Sequence, residues 1–318
     1  MAELSELQAA VHAVRQTPHD ASAWQTAEDL AAQLDRPDDV VEAFRAVVAE
    51  PLQPAVAEMI GERAGGFCDE WFGDDPAVLE GILKRVVELA PQSDTALQRL
   101  SVIYTVAERW DDLLAMYDRA LTSAGDKTRR IRLLREASQL AKDVANQPEK
   151  AISYQQKLLP LTPDDAQLGQ SLERLLERHE RWADLISLWE SRLDGQTKRE
   201  REKNRARIAS VWLDNLKDPA RALAAVRPLL AEAGEPDSDA DKDSCSLLTR
   251  IIESPHAVRG VRDGALDLLR AHYDVTARSR ELIAVLQRVI AIDPAGSRAL
   301  REEAGNRLAD LDDLPGAM

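Results

Sequence analysis

Apolar residues recur along this chain at i, i+3, i+4, i+7 and i+8, the stripe of an α-helix buried on one face. Val40, Ala43, Phe44, Val47 and Val48 form the first clear stripe, and Leu79, Ile82, Leu83, Val86 and Val87 the second. Further stripes begin at Leu113, Ala151, Leu185, Ala222 and Leu282, with Gln155 and Arg192 as polar interruptions. Successive starting points lie 39, 34, 38, 34, 37 and 60 residues apart. So even a spacing marks a repeat, a helix pair that cannot bury its own apolar face and must stack on its neighbours.

A second helical segment precedes each stripe, near 21–33, 54–70, 95–107, 129–145, 167–178, 203–216 and 261–274. Pro37, Pro76, Pro148 and Pro219 sit where second helices should start, a position that tolerates a missing N–H. Pro91, Pro163 and Pro294 follow the stripes and stop them. Residue identities repeat as well. Leu97, Tyr104, Leu113 and Arg119 fall on Leu266, Tyr273, Leu282 and Arg288 in a gapless alignment of 96–121 on 265–290, and Glu-Arg-Trp occurs at both 108–110 and 180–182.

The expected organisation is a single array over 1–318. It comprises an N-terminal capping helix in 1–19, repeats over 20–230, an irregular acidic linker with an extra helix near 244–254 in 231–260, a last repeat at 261–294, and a C-terminal capping helix and tail in 295–318. Composition agrees with an all-α chain. Gly and Pro number only 14 and 15 among 318 residues, and aromatics are 4%, against a strand-rich mixture of β-branched and aromatic residues.

The helix pairs resemble the tetratricopeptide repeat (TPR), carried best by Leu97, Leu100, Ser101 and Tyr104, then Leu113, Tyr117 and Ala120. Ala137, Ala209, Ala151 and Ala222 fall where that family places small residues for close helix approach, and Trp24 opens a first helix as its aromatic does. The likeness spans roughly 20–294, with the family's first-helix Gly replaced by Ser101, Glu173 or Arg270; half-a-TPR and related α-solenoid families share the pattern. It implies an α-solenoid of about seven TPR-like pairs in a right-handed superhelix, lined inside by first-helix residues. Gln98, Val102, Thr105, Arg135, Ser138, Lys142, Gln170, Arg174, Arg178, Arg207 and Ser210 are the groove candidates. The family's paired Lys and Asn clamp for an acidic chaperone tail is not recognisable at these positions.

Charge narrows the partner. With 41 Lys and Arg against 56 Asp and Glu, the net charge is −15, which argues against nucleic acid and against an anionic membrane surface. Two basic runs stand out, Lys127 to Arg135 and Lys198 to Arg207, leading into first helices. They add Arg130 and Arg205 to the candidates, as a strip for an acidic peptide or as a solvated face balancing an acidic protein. Asp237, Asp239 and Asp241 alternate like the start of a calcium loop, yet Lys242 stands where such a loop needs Gly and Leu248 where it needs Glu; a solvated connector is the other reading.

Templates for chemistry fail in turn. There is no phosphate-cradling Gly-rich loop and no nucleophile elbow. The five histidines are scattered, without a metal-ligand spacing to each other or to Cys68 and Cys245. The expectation is therefore no catalytic, cofactor or metal residue, and a non-catalytic cytoplasmic scaffold or adaptor that takes a protein or peptide in its groove. The alternative is a regulatory receptor for a small ligand or signalling peptide. Two distant cysteines and the lack of an apolar leader support the cytoplasm.

Overall fold

The computed structural model describes residues 2–73, 75–232, 236–294 and 297–311. Helices fill them: α1 (Ala2–Gln16), α2 (Ala21–Leu34), α3 (Pro37–Ala49), α4 (Pro54–Trp71), α5 (Pro76–Leu89), α6 (Asp94–Val106), α7 (Trp110–Ser123), α8 (Lys127–Asp143), α9 (Pro148–Leu158), α10 (Ala166–Arg178), α11 (Trp182–Glu190), α12 (Lys198–Asp214), α13 (Pro219–Glu232), α14 (Asp239–Glu253), α15 (Arg259–Val275), α16 (Ser279–Ile292) and α17 (Arg298–Asp310). No strand occurs among the described residues. The fold is all-α, built of helix pairs.

The chain divides into two compact units, Met1–Leu172 and Glu173–Met318, with the boundary inside α10. Within each, several helices pack both on a neighbour in sequence and on the helix two further along. In the first unit α1 meets α3, α3 meets α5 and α4 meets α6; in the second α12 meets α14, α13 meets α15 and α14 meets α16. Neighbours at one and two steps are the signature of stacked hairpins, in which each unit is covered on both sides.

Local sequence sets the ends of the helices. Asp20, Asp75, Ser93, Asp126 and Ser238 each accept a hydrogen bond from a first-turn N–H, and Thr197 with Glu200 makes a reciprocal capping box. Pro37, Pro76, Pro148 and Pro219 open helices as their sequence places predict. The turns within hairpins share one backbone form. Asp35, Glu108, Glu180 and Ala277 all have φ between 52° and 55°, and the arginine after each donates its N–H to a carbonyl five residues back, as Arg109 does to Tyr104 at 2.9 Å. This is the Schellman closure. Arg36, Arg109, Arg181 and Arg278 then pair with Asp39, Asp112, Asp184 and Glu281 one turn into the next helix. The repeated Glu-Arg-Trp of the sequence is this turn.

Packing follows the stripes. Trp24 stacks on Phe44 with ring centroids 4.4 Å apart, and Phe67 meets Phe44 edge-on at 6.0 Å. Gly61 lets α4 approach α5 closely, since a Cβ there would stand 3.0 Å from Val86 Cγ1. Ion pairs tie helices one repeat apart: Arg63 to Glu28 at 2.6 Å, Arg109 to Glu80 at 2.8 Å, Arg129 to Asp94 at 3.0 Å and Arg270 to Glu303 at 2.8 Å.

Three elements differ from the sequence expectation. The extra helix starts at Asp239, inside the acidic stretch, because Ser238 caps it and Asp241 is buried in its first turn. The stripe from Leu185 to Leu193 is helical only to Glu190; Arg192 leaves it to meet Glu173 at 2.9 Å, and Leu193–Gly195 form a 3₁₀ turn. Finally, α15 aligns in sequence with α6, a first helix, yet it packs on α13, a second helix. One additional helix, α14, shifts the alternation by one.

Two outcomes test this description. Ala277 is exposed and left-handed, a conformation costing a Cβ-bearing residue about 1 kcal/mol, so Ala277→Gly is expected to raise stability in urea unfolding by up to about 1 kcal/mol. Burial raises the Glu80 pKa, but Lys84 and Arg109 outweigh it and hold the carboxyl below its ordinary 4.5. Glu80→Gln is expected to lower Tm by about 2 °C at neutral pH. That stabilisation is complete above pH 4.5 and vanishes as pH falls through the lower native value, so the two melting curves should converge in acid.

Candidate functional site

α6 carries the most exposed apolar face in the first unit. Gln98, Val102 and Thr105 lie three and four residues apart on its open side, all exposed, and Val106 joins them. Val102 is 62% and Val106 75% exposed, although both belong to a helix whose other face is core. They border a cleft of about 490 Å³ floored by Cys68, Leu79 and Ile103, with Asp75 at the margin and the Arg99–Asp69 pair at 2.9 Å on one side. Burial, with the Asp69 carboxylate second, pushes the Cys68 thiol up to about 11. It is therefore a protonated wall of the cleft near neutral pH.

On α8 the candidates separate. Arg135 and Lys142 are exposed, and Arg135 reaches Asp165 at 3.1 Å. Ser138 is 5% exposed and faces the packed interior beside Ala137 and Ala141. It has no surface to offer a partner. Arg130 folds back on the preceding turn, donating to the Ala124 carbonyl at 3.1 Å.

Gln170, Arg174 and Arg178 are exposed on α10. In the second unit Arg207 lies over the Trp189 ring at 4.1 Å and reaches Glu177 at 3.3 Å, bordering with Ser210 and Lys203 a cleft of about 390 Å³. Arg205 turns instead to Glu232 at 2.6 Å, together with Arg201 at 3.4 Å. Both basic runs start inside their helices, not ahead of them, and the chain's own carboxylates hold much of their charge: Asp94 takes Arg129 and Arg132, Asp165 takes Arg135, and Glu232 takes Arg201 and Arg205. Charges that oppose the helix dipole near the helix starts are thus compensated by acids from neighbouring segments.

The alternating acids do not converge as a calcium loop would require. Gly234 and Glu235 lie outside the described residues. Asp239 is 91% exposed and 3.9 Å from Arg199, while Asp241 is fully buried. Asp241 accepts from the Asp237 N–H at 3.0 Å and from Arg278 Nη1 at 2.7 Å, and its other oxygen faces His272 and Cys245. Burial works to raise its pKa, but these donors prevail and hold the carboxyl below the usual aspartate value. Sequence reasoning missed this cluster because it placed 239–243 in a linker; on a helix, Asp241 and Cys245 are one turn apart on a single face.

No helix among the described residues is long and apolar enough to cross a membrane. No protein-family model matches the chain, and no curated protein does. Solved structures that it resembles include that of Naa15/Naa10 bound to HypK-THB (TM-score 0.31, 10% identity, over 99% of this chain and 60% of that one). Others are the TPR domain of P58(IPK) (0.27, 14%, 93% and 90%) and the C-terminal part of a TPR repeat-containing protein from Cytophaga hutchinsonii (0.28, 13%, 88% and 98%). This chain thus spans 60% of the Naa15 complex chain that it matches. Scores and identities of this size assign neither partner nor activity.

The burial pattern predicts opposite outcomes for two neighbouring candidates. Ser138→Leu overpacks the interior and is expected to cost about 1–3 kcal/mol in urea unfolding, whereas Val102→Ser on the open face should change stability by no more than about 0.5 kcal/mol.

Proposed function

We propose that the protein is a non-catalytic docking scaffold whose cleft beside α6 receives an apolar side chain from a partner protein or peptide. The pair of exposed valines, Val102 and Val106, above a floor of Cys68, Leu79 and Ile103 is the observation that carries this reading. Fully burying a valine contributes about 1.5–3 kcal/mol, so covering both supplies a working share of a micromolar affinity of about 8 kcal/mol. Asp75 and the Arg99–Asp69 pair at the margin of the cleft offer hydrogen bonds that orient the occupant, and the exposed Gln98 and Thr105 lie beyond the valines on α6.

An acidic partner is the weaker version of this reading. Arginines of both basic runs are engaged by internal carboxylates, and a net charge of −15 repels an acidic chain at long range. Residence in the cytoplasm belongs to the same proposal and draws on the two cysteines, both free and buried.

Capture from an extract of the source cells, with mass spectrometry of what is retained, tests the cleft. The full chain is compared with a Val102→Asp/Val106→Asp variant and an Arg130→Glu variant of unchanged helicity. A protein retained by the wild type and by Arg130→Glu, and held at least about tenfold less by the double valine variant, agrees with the proposal. Equal retention by the valine variant, or loss only with Arg130→Glu, contradicts it.

A further inference from the structure

Away from the α6 cleft, one cluster places three different metal-binding side chains together. Asp241 and Cys245 are one turn apart on α14, and His272 comes from α15, which packs against it. A carboxylate oxygen, the thiol sulfur and an imidazole nitrogen lie within 4.8 Å of one another. We propose that Asp241, Cys245 and His272 are the protein ligands of a single Zn²⁺ ion that fastens the extra helix α14 to α15.

The hydrogen bonding turns one oxygen of the Asp241 carboxylate toward the other two donors. His272 Nε2 is buried without a hydrogen-bond partner, although Asp241 Oδ1 is only 2.5 Å away. Both are donor atoms that one cation can take up together once the pair opens. Asp241 Oδ2, by contrast, is fully engaged by Arg278 Nη1 and the Asp237 N–H. That arrangement fixes the carboxylate and offers Oδ1 alone, the outer-sphere support typical of a ligating acid. The Arg278 charge is shared with Glu281 at 3.3 Å, which limits its repulsion of an incoming ion.

Donor type and geometry select the metal. Sulfur, nitrogen and oxygen together suit zinc, while calcium and magnesium want oxygen alone. Ligand atoms about 2.0–2.3 Å from a tetrahedral zinc stand roughly 3.3–3.8 Å apart. The most separated pair here closes by about 1 Å to reach that, and the 2.5 Å pair opens by a similar amount. Asp241 and His272 Nε2 are buried, and only the remainder of the His272 side chain, 17% exposed, reaches the surface. On binding, the Cys245 S–H bond breaks, its proton leaves to solvent, and the sulfur electron pair forms the bond to zinc; nothing is oxidised or reduced.

The test uses the full chain, stripped with a chelator, then titrated with Zn²⁺ by calorimetry and with Co²⁺ by absorption spectroscopy. The expected result is one ion per chain, a thiolate-to-cobalt charge-transfer band, and a rise in Tm with Zn²⁺. Cys68→Ser keeps the band; Cys245→Ser loses it and binds zinc at least about tenfold more weakly. A wild-type titration without the cobalt band, or with the band abolished by Cys68→Ser and kept by Cys245→Ser, overturns the proposal and leaves Asp241, His272 and Arg278 as a metal-free ion cluster. The wild-type spectrum decides even if Cys245→Ser fails to fold.

Discussion

A helix of thirteen to eighteen residues, such as α3 or α4, carries one apolar stripe and cannot shelter it alone. Every other feature of the molecule answers that constraint. Isolated helices of such length are marginal in water because nucleation is costly, and a lone hairpin leaves the outer flanks of both stripes wet. Covering them requires neighbours one and two steps along the chain, which is how α1, α3 and α5 pack in one unit and α12, α14 and α16 in the other. Trp24 against Phe44 and Val86 against the bare Gly61 backbone show how close that covering is.

Stacking also decides which residues remain outside. The left-handed turn at Glu108 and the Arg109–Asp112 pair set where α7 leaves α6. With Leu97, Leu100 and Tyr104 committed to the core, the remaining side of α6 must face outward, and two of its residues are valines. An apolar surface left by such a tightly covered array is a place where a partner gains by binding.

Much of the architecture was legible in the sequence because stripes and prolines act locally. The helix periods, the starts at Pro37, Pro76, Pro148 and Pro219, and the extra helix before Arg259 all depend on residues within a few turns. What escaped depends on partners far along the chain. Asp241 reads as a solvated acid until Arg278, thirty-seven residues later, pairs with it and its carboxylate becomes core. Arg129 reads as part of a basic strip until Asp94 and the Pro91 carbonyl take its guanidinium. Ser138 and Val102 both stand at first-helix positions expected to face inward, yet Ser138 shares the buried face of Ala137 and Ala141, and Val102 lies off the face of Leu97, Leu100 and Tyr104. An acid-to-arginine spacing near one repeat length was the signal available for the ion pairs.

The covering of each hairpin by its neighbours is tested most directly on one hairpin removed from them. A synthetic peptide spanning 94–123, which holds α6 and α7, can be compared by far-ultraviolet circular dichroism with the same segment in the full chain, followed there by amide hydrogen exchange. The account predicts a peptide of low helicity that melts without a cooperative transition, and slow exchange for the core amides of α6 and α7 within the full chain. A peptide that is fully helical alone and unfolds cooperatively would contradict it, since the neighbours would then be unnecessary.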